Sequence, residues 1–284
     1  MRMTIEEKIR KVTEGNCDYL GFADLTPARD LIHWQSGIEA DSYPYGISIG
    51  VALVDDIVDL VPQRDERWAA TLYRTHGYEA VNARLDQMAS MVGSELQRAG
   101  YRAMPIPASR RVSDEKLCGP ISHKMVAHLA GLGWIGKSCL LVTPDHGPRV
   151  RWISVLTDAP LKPLGKPMDQ RCGDCRECVK ACPVSAFTGR NFIESEPREA
   201  RYDARNARAI PMNWKRRAGT GCADCASTPV PTENGRSDQA TSSRRFWNRI
   251  FSPGMLVGYS PDRQARQRSF SSSSSALTSP FSEV

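Results

Sequence analysis

The spacing of hydrophobic and polar positions alternates between helical and extended periods. Thr4-Ile-Glu-Glu7 has the spacing of a capping box, and Ile5, Ile9 and Val12 follow at i, i+4 and i+7. An amphipathic helix is expected there. Tyr19 to Leu25 reads as a short strand ended by Thr26-Pro27. Ile47 to Val54 is a near-continuous apolar run rich in β-branched residues, the pattern of a strand covered on both faces. Val81, Leu85, Met88, Val92 and Leu96 mark one face of a longer helix that stops at Gly100. Met88 and Met91 in that helix read as core filler. Tyr101 to Pro107 forms the strand that follows.

A further helix over Lys124–Leu129 runs into Ala130-Gly-Leu-Gly-Trp-Ile-Gly-Lys137. Gly131, Gly133 and Gly136 match G-x-G-x-x-G, but they follow a helix and precede a strand. A dinucleotide fold needs the order strand, glycines, helix, so nicotinamide binding is rejected. Close backbone approach to something, or a tight turn, accounts for the glycines. Cys139 to Val142 and Val150 to Leu156 read as two strands joined by a hairpin-like turn through Pro144-Asp-His-Gly-Pro148. Cys139 and Cys17 read as structural thiols. Pro160 to Lys166, with two prolines and a glycine, looks like a linker.

Composition adds bounds rather than identity. The 284 residues are 40% hydrophobic and 25% charged, ordinary globular usage with room for one large and one small domain. From Ala226 onward the chain is rich in Ser, Arg, Pro and Gln, and it has little to bury, so disorder is expected there. The expected division is 1–165 for the large domain, 166–230 for a cysteine-rich module and 231–284 for a disordered low-complexity tail. No run of eighteen apolar residues and no apolar signal core occur, so a cytoplasmic protein without a membrane partner is expected. Net charge is +6, but seven Arg against four acids from Ala226 onward supply half of it. Charge therefore does not support a nucleic-acid patch on the rest of the protein.

The chemistry lies in Cys172-Gly-Asp-Cys175-Arg-Glu-Cys178-Val-Lys-Ala-Cys182-Pro183, which reads C-x2-C-x2-C-x3-C-P, the ferredoxin ligand run. Two-residue gaps let one tight loop converge three sulfurs. The fourth Cys, followed by Pro, is placed where a helix would start. Four thiols this close are too crowded for ordinary disulfide pairing, and zinc sites usually split their ligands into two separated pairs. A second pair, Cys222 and Cys225, follows about forty residues later. A 4Fe–4S cluster is the expected cofactor, with a zinc-binding protein as the lesser alternative.

As a set, the glycine-rich segment, Leu156-Thr-Asp-Ala-Pro-Leu161 and the ferredoxin run resemble the epoxyqueuosine reductases and, more distantly, the reductive dehalogenases. The resemblance is clearest from Tyr101 to Cys225. It implies an α/β (α+β, nitroreductase-like) domain that cradles a corrinoid, bordered by Gly131, Gly133 and Trp134, and a ferredoxin-like module with two clusters. It also implies an iron–sulfur oxidoreductase fed by a donor such as a flavodoxin or ferredoxin. The family's tRNA substrate stays open as a partner, without support from charge. A non-catalytic electron carrier for a partner enzyme is the alternative.

The chain departs from the family in four places. Leu117 stands where the reductases present an acid that donates the proton, with Asp114 and Glu115 out of register. Gly77-Tyr78-Glu79 replaces an acid-Tyr-His signature. His123 and Lys124, in place of an acid–base pair, read either as site donors or as a solvated helix face. In the clusters, Ala207 and Pro229 occupy two cysteine positions, so six thiolates are present where two clusters need eight. In the family's arrangement Cys172, Cys175 and Cys178 would share a cluster with position 229, and Cys182, Cys222 and Cys225 with position 207.

Overall fold

The computed structural model describes residues 3–63 and 65–208. Cys222, Cys225, Pro229 and the expected tail therefore lie outside the described residues. The elements begin with α1 (Ile5–Thr13), β1 (Tyr19–Asp24), α2 (Arg29–Ser36), β2 (Tyr45–Ala52) and α3 (Asp55–Val58). α4 (Arg67–Leu72), α5 (Ala80–Arg98), β3 (Ala103–Ile106), α6 (His123–Leu129), β4 (Trp134–Ile135), β5 (Leu141–Val142) and β6 (Val150–Thr157) follow. The cysteine-bearing segment adds α7 (Glu177–Ala181) and α8 (Ala204–Arg208). A π-helical stretch, Tyr73–Glu79, joins α4 to α5.

The capping box is real: Glu7 N–H donates to the Thr4 hydroxyl at 3.2 Å, and Thr4 N–H donates to the Glu7 carboxylate at 2.8 Å. Four strands form one antiparallel sheet in the order β1-β2-β6-β3. The alternation along β2 explains what covers each face. Ile47, Ile49 and Val51 join Phe22, Ile153 and Val155 against α1 and α5 through Ile9, Leu85, Met88, Val92 and Leu96. Gly46, Ser48 and Gly50 point the other way. There α2 and α6 pack through Ile32, Met125, Val126 and Leu129 onto Ala23, Leu25, Ile106 and Leu156. The small residues set how close α6 sits. A Cβ on Gly46 would stand 2.9 Å from Val126 Cγ1, and one on Gly21 would stand 2.8 Å from Ala130 Cβ.

Three sequence expectations need correction. Val150–Thr157 does not form a hairpin with the preceding strand. β6 is the central strand between β2 and β3, while β5 pairs with β4 in a separate two-stranded sheet. Its burial at every position but Arg151 suits the covered central place better than an exposed hairpin. Cys139 is buried as expected, but it sits in the turn before β5 at a φ of 57°. Met91 is 44% exposed and is not core filler, whereas Met88 is. On a helix turning 100° per residue, position 91 falls outside the 81-85-88-92-96 stripe. Among the described residues no helix is long and apolar enough to cross a membrane.

The packing under Gly46 yields a stability prediction. Gly46→Val should lower unfolding free energy by about 1–3 kcal/mol, the usual cost of overpacking a filled core. Urea unfolding followed by far-UV circular dichroism measures it. Unchanged stability would mean that α6 is not seated against β2 at this distance.

Candidate metal centre

The first three cysteines are gathered by one tight loop and the start of one helix. Cys175 N–H donates to the Cys172 carbonyl at 2.9 Å, closing a turn through Gly173, whose φ of 48° suits glycine. Cys178 lies on the second residue of α7. Burial, then the neighbouring Cys172 and Cys175 sulfurs, push its thiol up to about 11. Cys178 and Cys182 are buried, Cys172 is half-buried and Cys175 is exposed. Cys182 ends α7 instead of starting a helix, which corrects the sequence expectation: Pro183 cannot continue the helix that α7 has already formed. The i, i+4 spacing then sets Cys178 and Cys182 in one small core with Ala181 and Ala186. Ala207 packs against that same core. The Cys182 sulfur accepts a hydrogen bond from Ala186 N–H at 3.2 Å. Among the described residues no three His, Cys, Asp or Glu side chains are drawn tightly enough to grip a single ion. A cubane spreads its thiolates further apart than a single ion does.

The glycine-rich segment is the floor on which this loop rests. Gly131, at φ 74°, lies so close to the chain at 165–166 that a Cβ would be 2.8 Å from the Lys166 carbonyl oxygen. At Gly133 a Cβ would be 2.3 Å from the Val142 oxygen, and at Gly136 it would stand 3.6 Å from the Cys172 sulfur. Gln170 donates to the Ile135 carbonyl at 2.9 Å and accepts Cys172 N–H at 2.8 Å. The Lys137 ammonium donates to the carbonyls of Gly173 at 2.6 Å and Cys175 at 3.2 Å. Trp134 lies under the Arg171 guanidinium, 5.4 Å from its ring centroid, and among the described residues its buried indole N–H has no hydrogen-bond partner. The sequence reading gave Lys137 and Gln170 no role. The one available signal was their position, Lys137 closing the glycine run and Gln170 two residues before the first cysteine.

Other contacts tie the segment to the sheet domain. His128, buried on α6, pairs with Glu194 at 3.3 Å and with the Gly133 carbonyl at 3.1 Å, with Phe192 edge-on at 5.1 Å. Arg198 donates to the carbonyls of Leu117 at 3.0 Å and Lys116 at 2.7 Å. Leu117 itself holds a left-handed φ of 49°. Asp114 is taken up by Arg111 at 3.1 Å.

His123 and Lys124 do not form a solvated face. Both are half-buried at the start of α6. The Lys124 ammonium donates to the Cys139 carbonyl, and burial lowers its pKa. His123 spans the Ser154 hydroxyl at 3.0 Å and the Pro107 carbonyl at 3.1 Å. The carbonyl requires a donor, so the proton sits on Nε2 and Nδ1 accepts from Ser154. Burial pulls the imidazole down to about 4. Next along the chain, Asp86 accepts Ala108 N–H at 2.8 Å, and Tyr78 hydrogen-bonds the Ser109 hydroxyl. Arg151 lies over the Tyr78 ring at 4.2 Å and donates to Asn82 at 2.7 Å. The π-helical turn and α5 thus hold the segment that leads to Leu117.

No family model matches the chain. It is similar to the epoxyqueuosine reductase of Vibrio cholerae, 26% identical over 151 residues, or 52% of this chain and 38% of that protein. With the epoxyqueuosine reductase of Listeria monocytogenes it is 42% identical over 71 residues, 25% of this chain and 18% of that one. The matched part therefore spans well under two thirds of these relatives. A solved catabolic reductive dehalogenase matches with a TM-score of 0.51 at 22% identity, over 65% of this chain and 26% of its own, a likeness of fold alone.

His123 supplies a pH prediction. An unfolded histidine takes up a proton near pH 6.5, whereas this one stays neutral down to about 4. The unfolded chain therefore binds more protons in that window, and stability falls as pH drops from 6.5 towards 4. His123→Asn should remove part of that acid sensitivity, of order 3 kcal/mol at most. Urea midpoints at pH 7 and pH 4.5 measure it. Equal acid losses in both proteins would show that His123 is not held neutral.

Proposed function

We propose that this chain, a relative of the epoxyqueuosine reductases, is an iron–sulfur oxidoreductase in which Cys172, Cys175, Cys178, Cys182, Cys222 and Cys225 hold iron. The observation that carries the reading is the C-x2-C-x2-C-x3-C-P run, supported by a loop in which Cys172 and Cys175 lie within electrostatic reach of Cys178. The donor set fits the group: soft thiols, a glycine turn between the first two, and a buried ammonium beside the loop. A bound 4Fe–4S group supplies one-electron transfer. The chain's own residues hold it. Residues 166–230 act as the ferredoxin-like module on the 1–165 domain, with 231–284 as a tail. Cys175 is the exposed ligand, so a flavodoxin- or ferredoxin-type donor would approach from its side.

A corrinoid is the second cofactor that kinship implies, and the residues fit it unevenly. The space over Gly131 and Gly133 is filled by the chain's own backbone at Lys166 and Val142, so these two glycines do not form an open cradle. The unpartnered Trp134 indole N–H is the one group of the three that could meet a ligand. Leu117, where the reductases present an acid, favours a second reading in which the chain passes electrons to a partner enzyme. Proton donation needs an ionisable group within hydrogen-bond reach, and Leu117 has none. Cobalt in the purified protein supports the oxidoreductase; a cobalt-free iron protein supports the carrier.

Anaerobic purification followed by iron and sulfide assay tests the core of the reading. Roughly four to eight irons per chain are expected from the ligand arithmetic, and Cys175→Ser should lower that content while the far-UV circular dichroism of the sheet domain persists. Absent sulfide, or zinc in place of iron, would overturn it.

The count of six thiolates generates a second test. Ala207 lies against the core that contains Cys182, where the family arrangement calls for a further ligand. A cubane held by three thiolates has one labile iron, so air should release it and leave a three-iron cluster seen by electron paramagnetic resonance; Ala207→Cys should slow that loss and weaken the signal. Identical loss in both proteins would separate position 207 from the Cys182 cluster.

A further inference from the structure

The feature least explained by packing is Lys137. It is 7% exposed, and its ammonium donates to two carbonyls of the cysteine loop. Among the described residues no carboxylate pairs with it. Burying a cation costs several kcal/mol unless an opposite charge offsets it, and carbonyl dipoles do so only in part. An anionic group beside the Cys172–Cys175 turn completes the balance, and a thiolate-bound iron–sulfur cluster carries net negative charge.

We infer that Lys137 is a positioning residue for the cluster on Cys172, Cys175 and Cys178, and that its charge raises the cluster's reduction potential. This rests on the iron–sulfur reading above. Two effects are joined in one side chain. The hydrogen bonds to Gly173 and Cys175 fix the turn that aims the first two sulfurs. The fixed positive charge stabilises the reduced cluster more than the oxidised one, because reduction adds one negative charge next to it. Burial strengthens that difference, since the local dielectric is lower than water. The glycine run brings the lysine there. Gly136 lies beside the Cys172 sulfur, where a Cβ would be 3.6 Å away, and the lysine one residue later reaches the Gly173 and Cys175 carbonyls.

The test uses the full chain, purified anaerobically, with potentials read by titration under electron paramagnetic resonance. Lys137→Gln keeps a donor for the carbonyls and removes the charge; Lys137→Arg keeps the charge. The glutamine variant should retain wild-type iron and sulfide, with the reduction equilibrium shifted roughly tenfold against reduction, about 59 mV for a one-electron couple. The arginine variant should stay near wild type. An unshifted potential in the iron-loaded glutamine variant overturns the inference, as does loss of iron from both variants alike, which would make the residue purely structural. Wild-type protein without sulfide would instead overturn the iron–sulfur reading itself.

Discussion

Backbone lying directly on backbone is the constraint the cysteine loop depends on. At Gly131 and Gly133 the chain comes closer to the backbone of Lys166 and Val142 than a side chain would allow. The same segment continues past Gly136 to Lys137, which bonds the loop, while Gln170 bonds the Ile135 carbonyl. A side chain at Gly131 or Gly133 would force one of these backbones to shift. The turn is short and has only one half-buried and one exposed cysteine at its tip. Its geometry therefore comes from the floor beneath it rather than from a core of its own.

Around that floor the sheet domain works as a fixed frame. α5 and α1 bury one face of the sheet and α2 and α6 bury the other. α6 has the further task of ending in the glycine run, so its seating against Gly46 and Gly21 sets where the loop's floor begins. His128, on the same helix, reaches Glu194 beyond the cysteines. One short helix thus joins sheet, glycine run and cysteine segment.

Much of this was legible in the sequence. The capping box at Thr4, the apolar run in β2 and the stripe along α5 each signal their element by periodicity, and the four clustered cysteines signal metal by spacing. What was not legible depends on distant partners. The pairing of β6 with β2 and β3 instead of β5 is a tertiary choice that a local turn signal cannot report. α2 and the run from Arg67 to Glu79 carry weak stripes and went unread. The glycines matched a pattern whose meaning lay in what they touch. His123 and Lys124 looked like polar helix positions because nothing local shows that Ser154, Pro107 and Cys139 enclose them.

Leu117 leaves a different kind of trace. Its φ of 49° is a conformation that a leucine enters at a cost of about 1–2 kcal/mol, and one that Asp and Asn adopt far more readily. Arg198 holds the carbonyls of Lys116 and Leu117 in place, one on each side of that residue's Cα. The main chain at this point is thus fixed in a shape that a short polar residue fills at less cost than leucine, so a substitution there would change a side chain and not a fold.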